Sequence, residues 1–201
     1  MGLFDFLKRS SSPPPADKGG EARSPARKVA GHAKVVADRR AQTYDRIESI
    51  HALSTMRSPE AAIALLKRFT FTIDPSISDQ EEKDLAFQGI VTAGTLERLP
   101  KDEAERDEAM RALEGRREEI IEAVQAFCEK AEQLTWPIKV LKALLAEEEY
   151  QGELIALLST FDTEYARNVE PKVQLLQALE EHRSDDVRKA VEPYLDDVNE
   201  T

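Results

Sequence analysis

Apolar side chains recur at intervals of three and four residues along most of the chain, from about residue 29 onward. This spacing predicts amphipathic helices, because it places the apolar side chains on one face of an α-helix. Strand-like alternation is confined to one short stretch, Phe69–Ile73. Proline marks several boundaries, as at Asp74-Pro75 and Trp136-Pro137. We therefore predict an all-α protein with helices near 34–56, 59–71, 78–93, 102–117, 118–133, 136–147, 151–161, 169–182 and 186–195.

The predicted helices fall into two alternating families. Ile63–Phe69 is echoed by Ile155–Phe161, and we call helices of this kind A helices. The B helices instead centre on an alanine followed by a large apolar residue, and these alanines lie at positions 52, 86, 143 and 178. Their spacings of 34, 57 and 35 residues indicate a repeat, with the charged stretch 95–117 inserted into one unit. This insertion is either a solvated helical extension or a finger that docks on a partner. One antiparallel pair cannot bury its own apolar face, so the pairs must stack.

The segment SDDVRKAVEPYL, Ser184–Leu195, resembles the HEAT-repeat signature, in which an Asp precedes Val-Arg and an Ala, with a proline inside the first helix. Ser58–Leu66 resembles the corresponding turn and helix start. The resemblance covers about residues 41–201 and is weakest over 95–117. It implies an armadillo-like α-solenoid, similar to bacterial HEAT-repeat domain proteins. In such repeats the Asp caps a helix, the Arg can bind an Asp of a neighbouring repeat, and Pro193 should kink the last helix.

Two other all-α folds stay open, a tetratricopeptide array and a plain helical bundle. Tetratricopeptide repeats share the period of about 34 residues. Their Trp-x2-Leu-Gly-x2-Tyr pattern is missing here.

The B helices also predict a candidate interaction face. The residues three and two before each repeat alanine, and one and four after it, are mostly apolar. The residues four and one before the alanine, and three after it, lie on the opposite side of the helix and are mostly polar. Stacking would align these positions across one surface, and solenoids bind partners on such surfaces. A merely solvated face is the alternative. The candidate residues are Glu48, His51, Glu82, Lys139, Lys142, Gln174, Gln177 and Glu181.

The formal net charge of -11 is unevenly distributed. Residues 1–40 hold nine Lys or Arg and four Asp or Glu, a balance of +5, which leaves −16 for the rest. We predict a disordered, basic Ser/Pro-rich tail over 1–33 and a repeat domain over 34–201. The acidic body argues against nucleic acid as the main partner. Residues 3–7 carry four apolar side chains, so docking on a protein and weak membrane contact both stay open for residues 1–9.

Candidate chemistry is sparse. The three histidines are far apart and none has a metal-ligand spacing, so we predict a surface position for His51. Cys128 lies in an apolar helical pattern and is predicted to be a core thiol, and Trp136 to be a packing residue. We find no nucleotide-binding or nucleophile motif and expect neither a cofactor nor an enzymatic activity.

We expect a cytoplasmic scaffold or adaptor that binds an unidentified protein without catalysis. The alternative is a lyase-like or accessory subunit of an enzyme acting on a small molecule, because some HEAT-like families resemble bilin lyases. The oligomeric state stays open.

Overall fold

The computed structural model describes residues 24–197, and over that range the chain is helical and contains no strand. Nine α-helices in this range pack against one another, which confirms the predicted all-α class. Their bounds are α1 Pro25–Val36, α2 Thr43–Met56, α3 Pro59–Leu66, α4 Ser76–Ala93, α5 Glu103–Cys128, α6 Thr135–Leu144, α7 Glu147–Leu158, α8 Glu170–Leu179 and α9 Asp185–Val191. Short 3₁₀ segments, Lys67–Thr70 and Glu192–Asp196, extend α3 and α9. Within this range no helix is both long and apolar enough to cross a bilayer.

The helices contact one another in two sets. α2, α4, α6 and α8, which correspond to the predicted B helices, touch in that order. α1, α3 and α5 also touch in order, and α7 touches α9, while α5 and α7 are joined mainly through α6. Helices adjacent in the chain pack as well, from α1–α2 through α7–α8. One core of buried apolar side chains runs from α1 to α9. Membership of the HEAT family stays a prediction.

Side-chain caps begin three of the helices. The Ser58 hydroxyl accepts a hydrogen bond from the Ala61 amide (3.3 Å), and Asp102 accepts from the first turn of α5. α9 is capped by Ser184, whose hydroxyl accepts from the Val187 amide (3.2 Å), so the expected Asp cap is wrong. Arg188 pairs with Asp185 of its own helix, and not with an Asp of another helix.

The predicted helix 34–56 is wrong, because α1 and α2 are separate helices joined by a turn at residues 37–42. α1 starts at Pro25, so residues 25–33 are helical although they were expected to be disordered. Ala33 and Val36 are buried where α1 packs on α2 and α3, and this tertiary contact stabilises a helix in a Ser/Pro-rich region. The rest of the predicted tail, residues 1–23, lies outside the described residues.

Helix α5 is continuous where two helices, 102–117 and 118–133, were predicted. No proline interrupts it, and a central glycine is tolerated in a helix at a modest cost. Nearly all side chains of residues 103–112 are exposed, whereas Ile120, Val124 and Cys128 are buried. The helical part of the predicted insertion is therefore the exposed half of a helix whose other half belongs to the core.

Two predictions about core residues are confirmed. Cys128 is buried, and desolvation raises the pKa of its thiol to about 12, with a further contribution from Glu153 of α7. Trp136 stacks on Phe69, with ring centroids 5.8 Å apart, and packs at 6.0 Å from the Phe87 ring. Pro193 lies where α9 gives way to a 3₁₀ turn, as expected for a residue without an amide hydrogen.

Candidate functional site

The structure places most of the predicted face at the surface of the B helices. Glu48 and His51 are exposed on α2, and Gln177 is exposed on α8. On α6, the exposed Lys139 ammonium lies 4.4 Å from the centroid of the Trp136 ring. The Gln174 side chain is half-buried, because its carbonyl accepts a hydrogen bond from the Leu134 amide. These residues lie on the same set of helices, which contact one another, and they differ in exposure.

Glu82 is the exception, since its side chain is fully buried and cannot belong to the predicted interaction face. The exposed side chains of α4 include Glu81, Asp84 and Gln88, one position earlier than the repeat alignment on Ala86 requires. A shift of one residue rotates a helix face by about 100°. The alignment of α4 with the other B helices was therefore wrong by one residue, and Glu82 points inward.

Glu82 binds two buried arginines. Its carboxylate accepts hydrogen bonds from Arg46 of α2 (2.8 and 2.9 Å) and from Arg68 (2.6 Å). Arg68 also pairs with the buried Asp79 at 2.7 Å, and Asp79 in turn pairs with Lys83 at 2.7 Å. Five buried charges from α2, α4 and the 3₁₀ segment after α3 thus satisfy one another.

This network also fixes the loop that leads into α4. Arg68 donates to the Phe71 carbonyl at 3.0 Å, and its guanidinium lies 4.5 Å from the centroid of the Phe71 ring. The Asp79 carboxylate accepts from the Ile73 amide at 3.1 Å. The backbone of residues 71–73 is therefore held in place by charges that are inaccessible to solvent.

The fixed loop borders a groove with a volume of about 1210 Å³. We call it the loop-edge groove, because three alternate helix connections line it, α3–α4, α5–α6 and α7–α8. Their lining residues are 69–72, the end of α5 with 129–133, and 167–170. Phe71 and Phe127 contribute half-buried apolar surface. Two cations, Lys130 and Arg167, are balanced by two acids, Glu132 and Glu170.

Two of the three connections that line this groove are hydrogen-bonded to each other. The Asn168 amide group donates to the Glu132 carbonyl at 3.2 Å, which joins the α7–α8 loop to the α5–α6 loop. The contact between Gln174 and the Leu134 amide joins the same two regions. A surface held by such bonds loses little conformational entropy when a partner binds. Sequence reasoning missed this groove, because its residues come from three separate stretches of chain.

A second cluster of polar groups lies where α6, α7 and α8 meet. Lys142 pairs with Glu181 at 2.6 Å, and this hydrogen bond raises the pKa of Lys142 and lowers that of Glu181. Desolvation raises the pKa of the neighbouring Tyr150. His182 faces Glu147 at 3.1 Å through Nδ1, and its buried Nε2 atom has no hydrogen-bond partner in the described part of the chain.

Comparison with known proteins gives no relative: no protein family model matches the chain, and neither a curated protein nor a solved structure is significantly similar to it. Among residues 24–197, no group of three or more His, Cys, Asp or Glu side chains is arranged to hold a metal ion.

Proposed function

We propose that the protein is a non-catalytic adaptor that binds another protein, and that the loop-edge groove receives a segment of that partner. The observation that carries the proposal is the convergence of three helix connections on one groove. Buried charges hold residues 71–73 in place, and a hydrogen bond joins the other two connections to each other. Helix-pair arrays expose long surfaces on which partners bind, which agrees with this role.

The composition of the groove suits a short peptide segment. Phe71 and Phe127 offer half-buried aromatic surface that an apolar side chain of the partner would cover. The charges on the rim, such as Arg167 and Glu132, would select a segment with charges of both signs in the complementary order. A partner of this kind binds through a few buried anchors with polar contacts around them.

Site-specific photo-crosslinking in the cells that make the protein would test this role. A photoreactive phenylalanine replaces Thr72 or Gln133 in the groove, His51 on α2, or Glu105 on the exposed half of α5; all four side chains are exposed. We expect one discrete adduct from Thr72 and Gln133, lost when Arg167→Glu is added, and none from Glu105. An adduct from His51 alone would move the interface to the B-helix face. No discrete adduct from any position would contradict the adaptor role.

A second function has one supporting observation. Lys142, Tyr150 and Glu181 have perturbed pKa values, as residues of sites that act on small molecules often do. The neighbouring His182 has a buried ring nitrogen without a hydrogen-bond partner in the described residues. This cluster favours the lyase-like or accessory role. A small molecule retained by the purified full chain in native mass spectrometry, and lost in Lys142→Ala with Tyr150→Phe, would support that role over the adaptor.

A further inference from the structure

A small basic pocket lies at the opposite ends of α3 and α4 from the loop-edge groove. It is formed by the turn between α2 and α3, the loop between α4 and α5, and the middle of α5, and has a volume of about 610 Å³. Its charged residues are Arg57, Arg98, Arg116 and Glu97. Three guanidinium groups therefore face one carboxylate, which is a formal excess of +2.

This excess sets the pocket apart from the other grooves. Residues 41–201 carry a formal charge of −16, so an excess of cations in a concave region is unusual for this chain. The loop-edge groove has as many acids as cations. The groove between α8 and α9 also has as many acids as cations, when His182 is counted as neutral. Its charged residues are Arg183, Arg188, Lys189, Glu180, Asp185 and Glu192.

Two of the three arginines are held in position. Arg57 ends α2 in the left-handed backbone region, with φ 47° and ψ 34°, a conformation that disfavours residues other than glycine. Its guanidinium lies 2.9 Å from the Glu97 carboxylate, and its carbonyl accepts a hydrogen bond from Arg116 at 3.2 Å. Strained backbone of this kind is often found where a side chain has a functional task.

The third arginine is available to a ligand. Arg98 is exposed and makes no hydrogen bond or ion pair within residues 24–197. Arg116 uses one nitrogen for the Arg57 carbonyl, which leaves its other donors free for a ligand.

We propose that this pocket binds a phosphate group, either as free phosphate or on a phosphorylated side chain. Guanidinium groups present paired donors that match the oxygen atoms of phosphate. A phosphate monoester carries about −1.5 to −2 charges at neutral pH, which balances the excess of +2 in the pocket. The inference does not depend on the adaptor role, because the pocket shares no residue with the loop-edge groove.

The test is a phosphate titration of the ¹⁵N-labelled full chain at constant ionic strength, followed by amide chemical shifts. We expect saturable shifts confined to residues 57–58, 95–98 and 116. Arg98→Gln should weaken binding about tenfold, because a charge-assisted hydrogen bond is lost. Arg98→Lys should fall between that variant and the wild type. The matched control is Arg111→Gln, an exposed arginine of α5 outside the pocket, which should bind phosphate normally.

A gain of affinity gives an independent check. Glu97→Gln removes the competing carboxylate from Arg57 and should tighten phosphate binding a few-fold. Non-saturating shifts, equal effects of Arg98→Gln and Arg111→Gln, or no gain in Glu97→Gln would each overturn the proposal. Phosphoserine peptide and inorganic phosphate then distinguish the two sources: tighter binding of the peptide than of its unphosphorylated form and of phosphate assigns the pocket to a phosphorylated protein.

Discussion

At the scale of single residues, the buried charges around Glu82 are the feature that the sequence conceals best. A glutamate on a helix with polar neighbours is normally exposed, because charged side chains are seldom fully buried unless paired. The partners of Glu82 are Arg46 and Arg68, which lie 36 and 14 residues away in the chain. Nothing in the local pattern of α4 indicates that these groups meet, so the pairing is visible only in three dimensions.

Glu82→Ala should destabilise the protein by about 3–5 kcal/mol, because it leaves two buried guanidinium groups without their carboxylate. Glu48→Ala is the matched control, since Glu48 has the same predicted repeat position but is exposed, and should change stability by less than about 0.5 kcal/mol. Urea denaturation followed by circular dichroism measures both. Similar free energies of unfolding for the two variants would show that the buried charge network does not stabilise the folded protein as its contacts imply.

The same network should make stability depend on pH through Asp79. Desolvation by burial acts to raise the pKa of Asp79, but hydrogen bonds and charges from Lys83 and Arg68 outweigh it, and the pKa lies below its usual value. A carboxyl whose pKa is lowered by folding stabilises the protein above its unfolded pKa of about 3.9, and the contribution is lost as pH falls through the folded value. The stability difference between wild type and Asp79→Asn should therefore be constant from pH 7 to 5 and shrink below about pH 4. Urea denaturation at each pH tests this, and a difference that persists undiminished at pH 3 would exclude it.

At the scale of helices, local signals locate boundaries better than they locate faces. The start of α3 after Ser58 and the start of α6 near Pro137 follow from side-chain chemistry within a few residues, and both were predicted. The continuity of α5 was missed because the repeat length suggested a break that no proline enforces. The inward face of α4 was missed because three of its buried side chains are charged. Periodicity alone therefore assigns them to solvent.

Two helical glycines allow a test of helix packing. A Cβ atom at Gly89 of α4 would lie 2.2 Å from the Ser54 hydroxyl and 2.7 Å from a Leu65 methyl, whereas one at Gly115 of α5 would meet nothing within 4 Å. Gly89→Ala should destabilise the protein by about 1–3 kcal/mol through overpacking against α2 and α3. Gly115→Ala should stabilise it by about 0.5–1 kcal/mol, because alanine favours the helix. Thermal and urea unfolding would measure both, and the same sign for both substitutions would contradict the described contact.

At the scale of the whole molecule, the helices contact mainly their first and second neighbours in the chain, and this arrangement determines what the sequence can reveal. The all-α class and the alternation of helices follow from periodicity and the repeat, and the structure confirms the class. The loop-edge groove and the basic pocket each combine residues from separate connections, such as Phe71 with Arg167, or Arg57 with Arg98. Their assembly depends on how the helices pack against one another, and this packing is encoded in side-chain contacts between distant residues rather than in any local motif.

Because the helices contact mainly their first and second neighbours in the chain, the protein should also unfold unevenly. The α2–α4 region contains the buried ion network, whereas α5 and α7 are joined mainly through α6, so we expect the α7–α9 end to open first. Leu154 of α7 and Ile50 of α2 are both fully buried, and truncating either to alanine should cost about 2–5 kcal/mol. Hydrogen exchange should show that Leu154→Ala accelerates exchange mainly in α7–α9, while Ile50→Ala acts mainly on α1–α4. Because the two substitutions remove similar amounts of apolar contact, they control for each other. Equal acceleration in every helix by both variants would mean that the nine helices unfold as one cooperative unit. The weak junction between α5 and α7 would then have no energetic consequence.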